Sequence, residues 1–93
     1  MILSQTEIDE SLITLPGWTY TKGSIEKTFV FRDFKEALGF IVQIGILAEQ
    51  ADHHPEMVNV YNKVILRLHT HSELAITEKD ILLARAINHQ SEK

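Results

Sequence analysis

Two adjacent histidines, His53 and His54, lie in the run Asp52-His53-His54-Pro55, just after Glu49, and His71 follows farther along the chain. Imidazoles exchange protons near neutral pH, and a carboxylate beside one fixes which ring nitrogen carries the proton. A group of this kind can give a proton to one atom and withdraw one from another. That chemistry suits addition or elimination of water and needs no nucleophile. Three imidazoles and a carboxylate are also a zinc donor set. Adjacent histidines diverge on an extended chain, however, and the sequence contains no helical His-Glu-x-x-His pair, so the reading assigns no metal. His69 alternates with His71 and flanks the same stretch, while His89, near the end, reads as a surface residue.

Positioning these side chains requires a helix that ends near Glu49 and a hairpin that returns to His71. Asp33-Phe34-Lys35-Glu36 has the spacing of a capping box and opens the longest periodic segment. Phe34, Leu38 and Ile41 form one apolar stripe on it, and Ala37, Phe40, Ile44 and Leu47 form another. Together they make an arc wider than one sheet contact needs, which leaves a side for a second copy of the chain. Met57 to Thr70 is strand-like but interrupted by Asn62-Lys63. With those two as the centre of a tight turn, Tyr61 faces Val64, Asn59 faces Leu66 and Met57 faces Leu68. Extended, the same register sets His54 opposite His71, although Pro55 interrupts a regular ladder. Tyr61 then reads as core, Asn59 and Asn62 as local hydrogen-bonding groups, and Lys63 and Arg67 as solvated.

The remaining elements follow similar signals. Ser4-Gln5-Thr6-Glu7 is a capping box for a short helix with Ile8 and Leu12 on one face, stopped at Pro16-Gly17. Trp18 to Lys22 and Ile25 to Phe31 read as strands around Gly23-Ser24. Thr77-Glu78-Lys79-Asp80 is a third capping box, starting a helix through Ile81, Ala84 and Ile87, and only the last few residues look frayed. The order is α-β-β-α-β-β-α. It predicts an α+β, two-layer fold with a four-stranded antiparallel sheet and helices packed on one face, forming a single domain over residues 1–93.

Composition narrows the class. The chain has 93 residues, a net charge of −4 and no cysteine, so neither disulfides nor thiol chemistry are available. No basic block marks a nucleic-acid surface, and no apolar run approaches a membrane span. The opening Met1-Ile2-Leu3-Ser4-Gln5 lacks a basic signal-peptide start. A cytoplasmic location is the expectation.

The segments Ala51-Asp52-His53-His54-Pro55-Glu56, Asn59-Val60-Tyr61-Asn62-Lys63-Val64 and Thr70-His71 together resemble the signature of the pterin-4a-carbinolamine dehydratases. Pro16-Gly17-Trp18, Phe29 to Ala48 and Thr77-Glu78-Lys79-Asp80 with Leu83-Ala84 extend the resemblance over nearly the whole chain. The resemblance implies dehydration of 4a-hydroxytetrahydropterin to quinonoid dihydropterin without a cofactor, by a homodimer or homotetramer. It makes His53, His54 and His71 catalytic, and leaves open which is acid and which is base. Glu49, Asp52, Thr70 and Ser72 become pterin-binding residues, with Thr70 and Ser72 presenting backbone groups. Asp80 becomes a cap or supporting group behind the site. Met57 stands where the family commonly has tryptophan, Ala75 where glycine is frequent, and Ile65 where some relatives carry a polar residue. Met57 therefore enters as an altered pocket wall. The competing reading is a protein-binding or assembly module on the same fold, with a protein partner and no direct nucleic-acid contact.

Overall fold

The computed structural model describes residues 1–92, so Lys93 lies outside the described residues. The elements are α1 (Gln5–Ile13), β1 (Thr19–Thr21), β2 (Ser24–Val30), α2 (Phe34–Ala51), β3 (Glu56–Val60), β4 (Lys63–Leu68) and α3 (Glu78–Ser91). The sheet order is β1-β2-β4-β3, with every neighbouring pair antiparallel. This is the expected α+β fold, with the helices on one face of the sheet.

Alternation along β4 explains that layering. Val64, Leu66 and Leu68 are fully buried, and they meet Ile25 and Phe29 of β2, Ala37, Phe40 and Ile44 of α2, and Ile81, Ala84 and Ile87 of α3. Lys27 faces inward too, directly across from Leu66. Its ammonium donates to the Pro16 carbonyl at 2.8 Å and to Asn88 Oδ1 at 2.9 Å, which also accepts from the Trp18 indole at 2.9 Å. Burial pushes the Lys27 pKa below the ordinary lysine value, and the Glu92 carboxylate opposes the shift. Gly17 makes room for that side chain: its φ is +87°, and a Cβ there would lie 2.6 Å from Lys27 Cε.

Both hairpins turn at other residues than the sequence spacing indicates. β1 and β2 pair with Thr21 opposite Ser24, so Lys22 and Gly23, both at positive φ, make the turn. β3 and β4 pair with Val60 opposite Lys63, so Tyr61 and Asn62 form the turn in place of Asn62-Lys63. Tyr61 has φ 51° and is exposed rather than core. Asn59 holds the bend by donating to the Tyr61 and Lys63 carbonyls at 3.1 and 2.8 Å. The observed register sets Asn59 opposite Val64 and Met57 opposite Leu66, a slip of two residues from the expected one. A slip of two preserves which residues face the core, and the hydrophobic pattern therefore does not resist it.

The helix starts mostly follow expectation. Ser4 with Glu7 and Thr77 with Asp80 form complete capping boxes. At α2, Asp33 caps Glu36 N–H, but the Glu36 carboxylate reaches back to Arg32 N–H, one residue beyond the capping-box position. On α2 the buried stripe is Ala37, Phe40, Ile44 and Ala48, while Phe34, Leu38, Val42 and Ile46 are exposed along one ridge. We expect Leu66→Ala to lower stability by about 2–5 kcal/mol, because it opens a cavity where sheet and helices meet. Urea denaturation of the two proteins measures that difference.

Candidate active site

The end of α2 determines where the paired histidines go. Asp52 adopts a left-handed conformation, φ 50°, and its N–H bonds back to the Ala48 and Glu49 carbonyls. The His53 N–H also bonds to the Ala48 carbonyl at 3.1 Å, which completes a Schellman-type close. The chain reverses there, and the two histidines part. His53 turns inward and is only 9% exposed, whereas His54 remains exposed.

His53 ends on Asp80, a carboxylate with 0% exposure at the start of α3. The His53 Nε2 to Asp80 Oδ1 distance is 2.5 Å. Asp80 Oδ2 accepts from the Thr77 N–H at 2.9 Å and from the Thr70 hydroxyl at 2.8 Å. Because Thr70 gives its proton to Asp80, the 2.7 Å contact between Thr70 and Thr77 must be donated by Thr77. Among the described residues no fully buried side-chain nitrogen or oxygen lacks a hydrogen-bond partner, and an ionised Asp80 carboxylate can act only as an acceptor. His53 therefore carries a proton on Nε2, and its neutral form keeps a lone pair on Nδ1.

His54 bonds through Nε2 to Glu49 Oε2, also at 2.5 Å, but here both partners are well exposed. His71 stands on a turn closed by the Thr70 N–H to Ala75 carbonyl bond at 2.8 Å and the Leu74 N–H to His71 carbonyl bond at 3.2 Å. Its ring packs at 63° against that of His69, with centroids 4.2 Å apart. A cleft of about 270 Å³ is lined by Asp52, His53, His54, Thr70, His71, Ser72 and Lys79. A second, of about 340 Å³, is lined by His54, Glu56, Arg67, His69 and His71. His54 and His71 belong to both clefts, so the three expected histidines do converge.

Several expectations need correction in detail. Continued past its last pair, the observed β3–β4 register sets His54 opposite His69 and leaves His71 diagonal to it. The Thr70 backbone is not open to a ligand, because its N–H and carbonyl are both bonded within the 70–75 loop. Thr70 instead contributes its hydroxyl to Asp80. Asp52 acts as the helix stop as well as a cleft residue. Met57 packs partly buried against the core and is not among the residues lining either histidine cleft. Arg67 is ion-paired with Glu26 at 3.3 Å and Glu56 at 3.2 Å. Among the described residues no group of three His, Asp or Glu is arranged to hold a metal ion.

Three lining residues, Glu56, Arg67 and Lys79, were not among the expected site residues. Lys79, on the first turn of α3, reaches the cleft that holds all three histidines. Its position follows from the third capping box, which also aims Asp80 inward. His69 was legible only as the residue alternating with His71.

Residues 1–90 match the family described as pterin 4 alpha carbinolamine dehydratase. It belongs to that family. A Sulfolobus acidocaldarius protein named "Putative pterin-4-alpha-carbinolamine dehydratase" is 43% identical over 95% of this chain and 97% of its own. A Brucella ovis protein of the same name is 46% identical, over 92% of this chain and 91% of its own. A crystal structure titled as a transcriptional coactivator/pterin dehydratase from Brucella melitensis superimposes with a TM-score of 0.92. It is 43% identical and covers 96% of this chain and 97% of that one.

Within this dehydratase family chain, Asp80 determines the His53 tautomer. We expect Asp80→Asn, which presents an amide able to donate, to move the His53 proton from Nε2 towards Nδ1. Nitrogen-15 chemical shifts of the His53 ring in the two proteins report the tautomer directly.

Proposed function

We propose that this chain dehydrates 4a-hydroxytetrahydropterin to quinonoid dihydropterin, by proton transfer among His53, His54 and His71, in support of tetrahydropterin recycling. Family membership over residues 1–90 supports the reaction, and the convergence of three imidazoles, two of them backed by carboxylates, carries the mechanism. In the reaction the N5 lone pair forms the C4a=N5 bond as the C4a–O bond breaks. The hydroxyl takes a proton and leaves as water, and the N5 proton passes to a base. One proton is given and one is taken, so the site ends as it began apart from which ring holds the proton.

We assign the acid to His54. A protonated His54 keeps its Nε2–H on Glu49 and still has an Nδ1–H to give to the leaving hydroxyl. His71 is the base for the N5 proton, since among the described residues its ring packs against His69, whereas His53 and His54 are the histidines paired with carboxylates. His53 contributes the Nδ1 lone pair that Asp80 fixes, as a hydrogen-bond acceptor for the pterin or the departing water. Asp52, Ser72 and Lys79 border the cleft and Glu49 holds its rim; Thr70 and Asp80 support His53 from behind. The scheme invokes no cofactor and no metal.

The chain functions as one domain over residues 1–93, in the cytoplasm, as a homodimer or homotetramer. The exposed ridge of Phe34, Leu38, Val42 and Ile46 on α2 supports self-association. No helix among the described residues is long and apolar enough to cross a membrane. The same ridge supports a second reading, in which the fold also engages a protein partner. The net charge of −4 gives no support to direct nucleic-acid contact.

The decisive measurement is the rate at which 4a-hydroxytetrahydropterin loses water with purified protein, above the spontaneous background. We expect clear acceleration, and a loss of about 10²-fold or more in His71→Ala, with an unchanged melting curve. A folded His71→Ala protein that turns over normally removes His71 from the mechanism. A folded wild-type protein without acceleration leaves the partner-binding reading.

A further inference from the structure

The three site histidines are not held equally. His53 has Asp80 and His54 has Glu49, each with a carboxylate oxygen 2.5 Å from Nε2. His71 sits exposed on its turn, and the ring packed against it is His69. His69 itself occupies a defined place. Leu68 and Thr70 on either side of it are buried, so His69 and His71 share the opposite side of the chain. In the β2–β4 register, Ile25 lies opposite Leu68, and one step further places Ser24 opposite His69. Ser24 Oγ is 3.5 Å from His69 Nδ1. The β3–β4 register, continued past Glu56 opposite Arg67, brings His54 to its other side. His69 thus stands between Ser24 and His54 and edge-on to His71, half-buried. Arg67, on the same side of β4, is engaged by Glu26 and Glu56.

We propose that His69 is a positioning residue for the dehydration: its ring, located by Ser24, restricts the rotation of the His71 ring and aims it at the substrate. The proposal rests on the dehydratase reading above. A side chain on an exposed turn otherwise samples several χ1 wells, and only one of them points a ring nitrogen at a given atom. His69 takes no proton in this scheme. Its contribution is the ring edge, which blocks the wells that turn His71 away from the cleft shared with His54.

The test compares wild type, His69→Ala, His69→Phe and Ser24→Ala by steady-state kinetics, and follows the His71 ring by NMR. His69→Ala should lower kcat about tenfold while KM stays within about twofold, the pattern of lost geometry rather than lost binding. His69→Phe, which keeps a ring edge without nitrogens, should recover most of that loss. Ser24→Ala should fall between His69→Ala and wild type. The His71 Hε1–Cε1 resonance should move in His69→Ala, and its cross-peaks to residue 69 should persist in His69→Phe. A His69→Ala protein with wild-type kcat, or a His69→Phe protein as slow as His69→Ala, overturns the proposal. So does an unmoved His71 resonance in His69→Ala, and that result is readable whether or not the protein turns over pterin. The wild-type rate alone judges the dehydratase reading.

Discussion

The buried Asp80 carboxylate ties together three parts of the chain that are otherwise separate. It closes the capping box of α3 through Thr77 N–H, anchors the loop after β4 through the Thr70 hydroxyl, and fixes His53 at the end of α2. Hydrogen bonds to a charged acceptor are worth about 1.5–3 kcal/mol each, and a carboxylate buried without such donors would be strongly unfavourable. The three donors therefore stabilise one another's placement. A helix start, a loop and an imidazole of the site are positioned by a single side chain, and His53 can be rigid although the residues on both sides of it are exposed. Thr77 extends the same cluster by donating to Thr70, so the order of protons runs in one direction towards the carboxylate.

The site lies where regular structure stops. Pro55 has no N–H for a ladder, β3 begins only at Glu56, and β4 ends at Leu68. Beyond those points the ladder between β3 and β4 stops, and the 70–75 loop closes on itself through the Thr70–Ala75 bridge. The ends of α2, β3, β4 and α3 meet at this place. His53 and Thr70 approach it from the helix layer, while His54, His69 and His71 approach from the other side. A small fold thereby brings imidazoles to one place from two directions without sacrificing its core, which remains in Val64, Leu66 and Leu68.

The sequence was informative where local chemistry decides the outcome. The three cap spacings marked the helix starts, and alternation along Val64, Leu66 and Leu68 identified the inward face. The paired histidines before a proline marked the site. What escaped was the position of the turns. Asn62-Lys63 looks a better turn centre than Tyr61-Asn62, since Tyr61 must adopt positive φ. Asn59 compensates by bonding to carbonyls on both sides of that turn, an interaction visible only once the register is known. The two-residue slip leaves every inward residue inward, so hydrophobicity could not expose the error, and His54 was matched to His71 instead of His69. Asp80 was read as a cap or a supporting group, and it is both. The depth of its burial depends on packing between α3 and the 70–75 loop, which no local pattern encodes.

Dehydration of a carbinolamine makes modest demands on a protein, and this architecture fits them. The nitrogen lone pair adjacent to the breaking bond supplies most of the driving force. The site has only to place a proton donor near the hydroxyl and an acceptor near N5. Rigid and open imidazoles divide that task. A ring buried on Asp80 holds one tautomer and can orient a ligand, whereas rings that exchange protons with solvent must remain exposed, as His54 and His71 do. Exposure leaves a ring free to rotate, and each open histidine therefore needs a neighbour that restrains it without enclosing it. Glu49 is such a neighbour for His54, a side chain on the last turn of α2 rather than a buried one. The corresponding neighbour of His71 is a ring on β4's continuation, and the arrangement supplies orientation on both sides of the cleft while leaving proton exchange with water open.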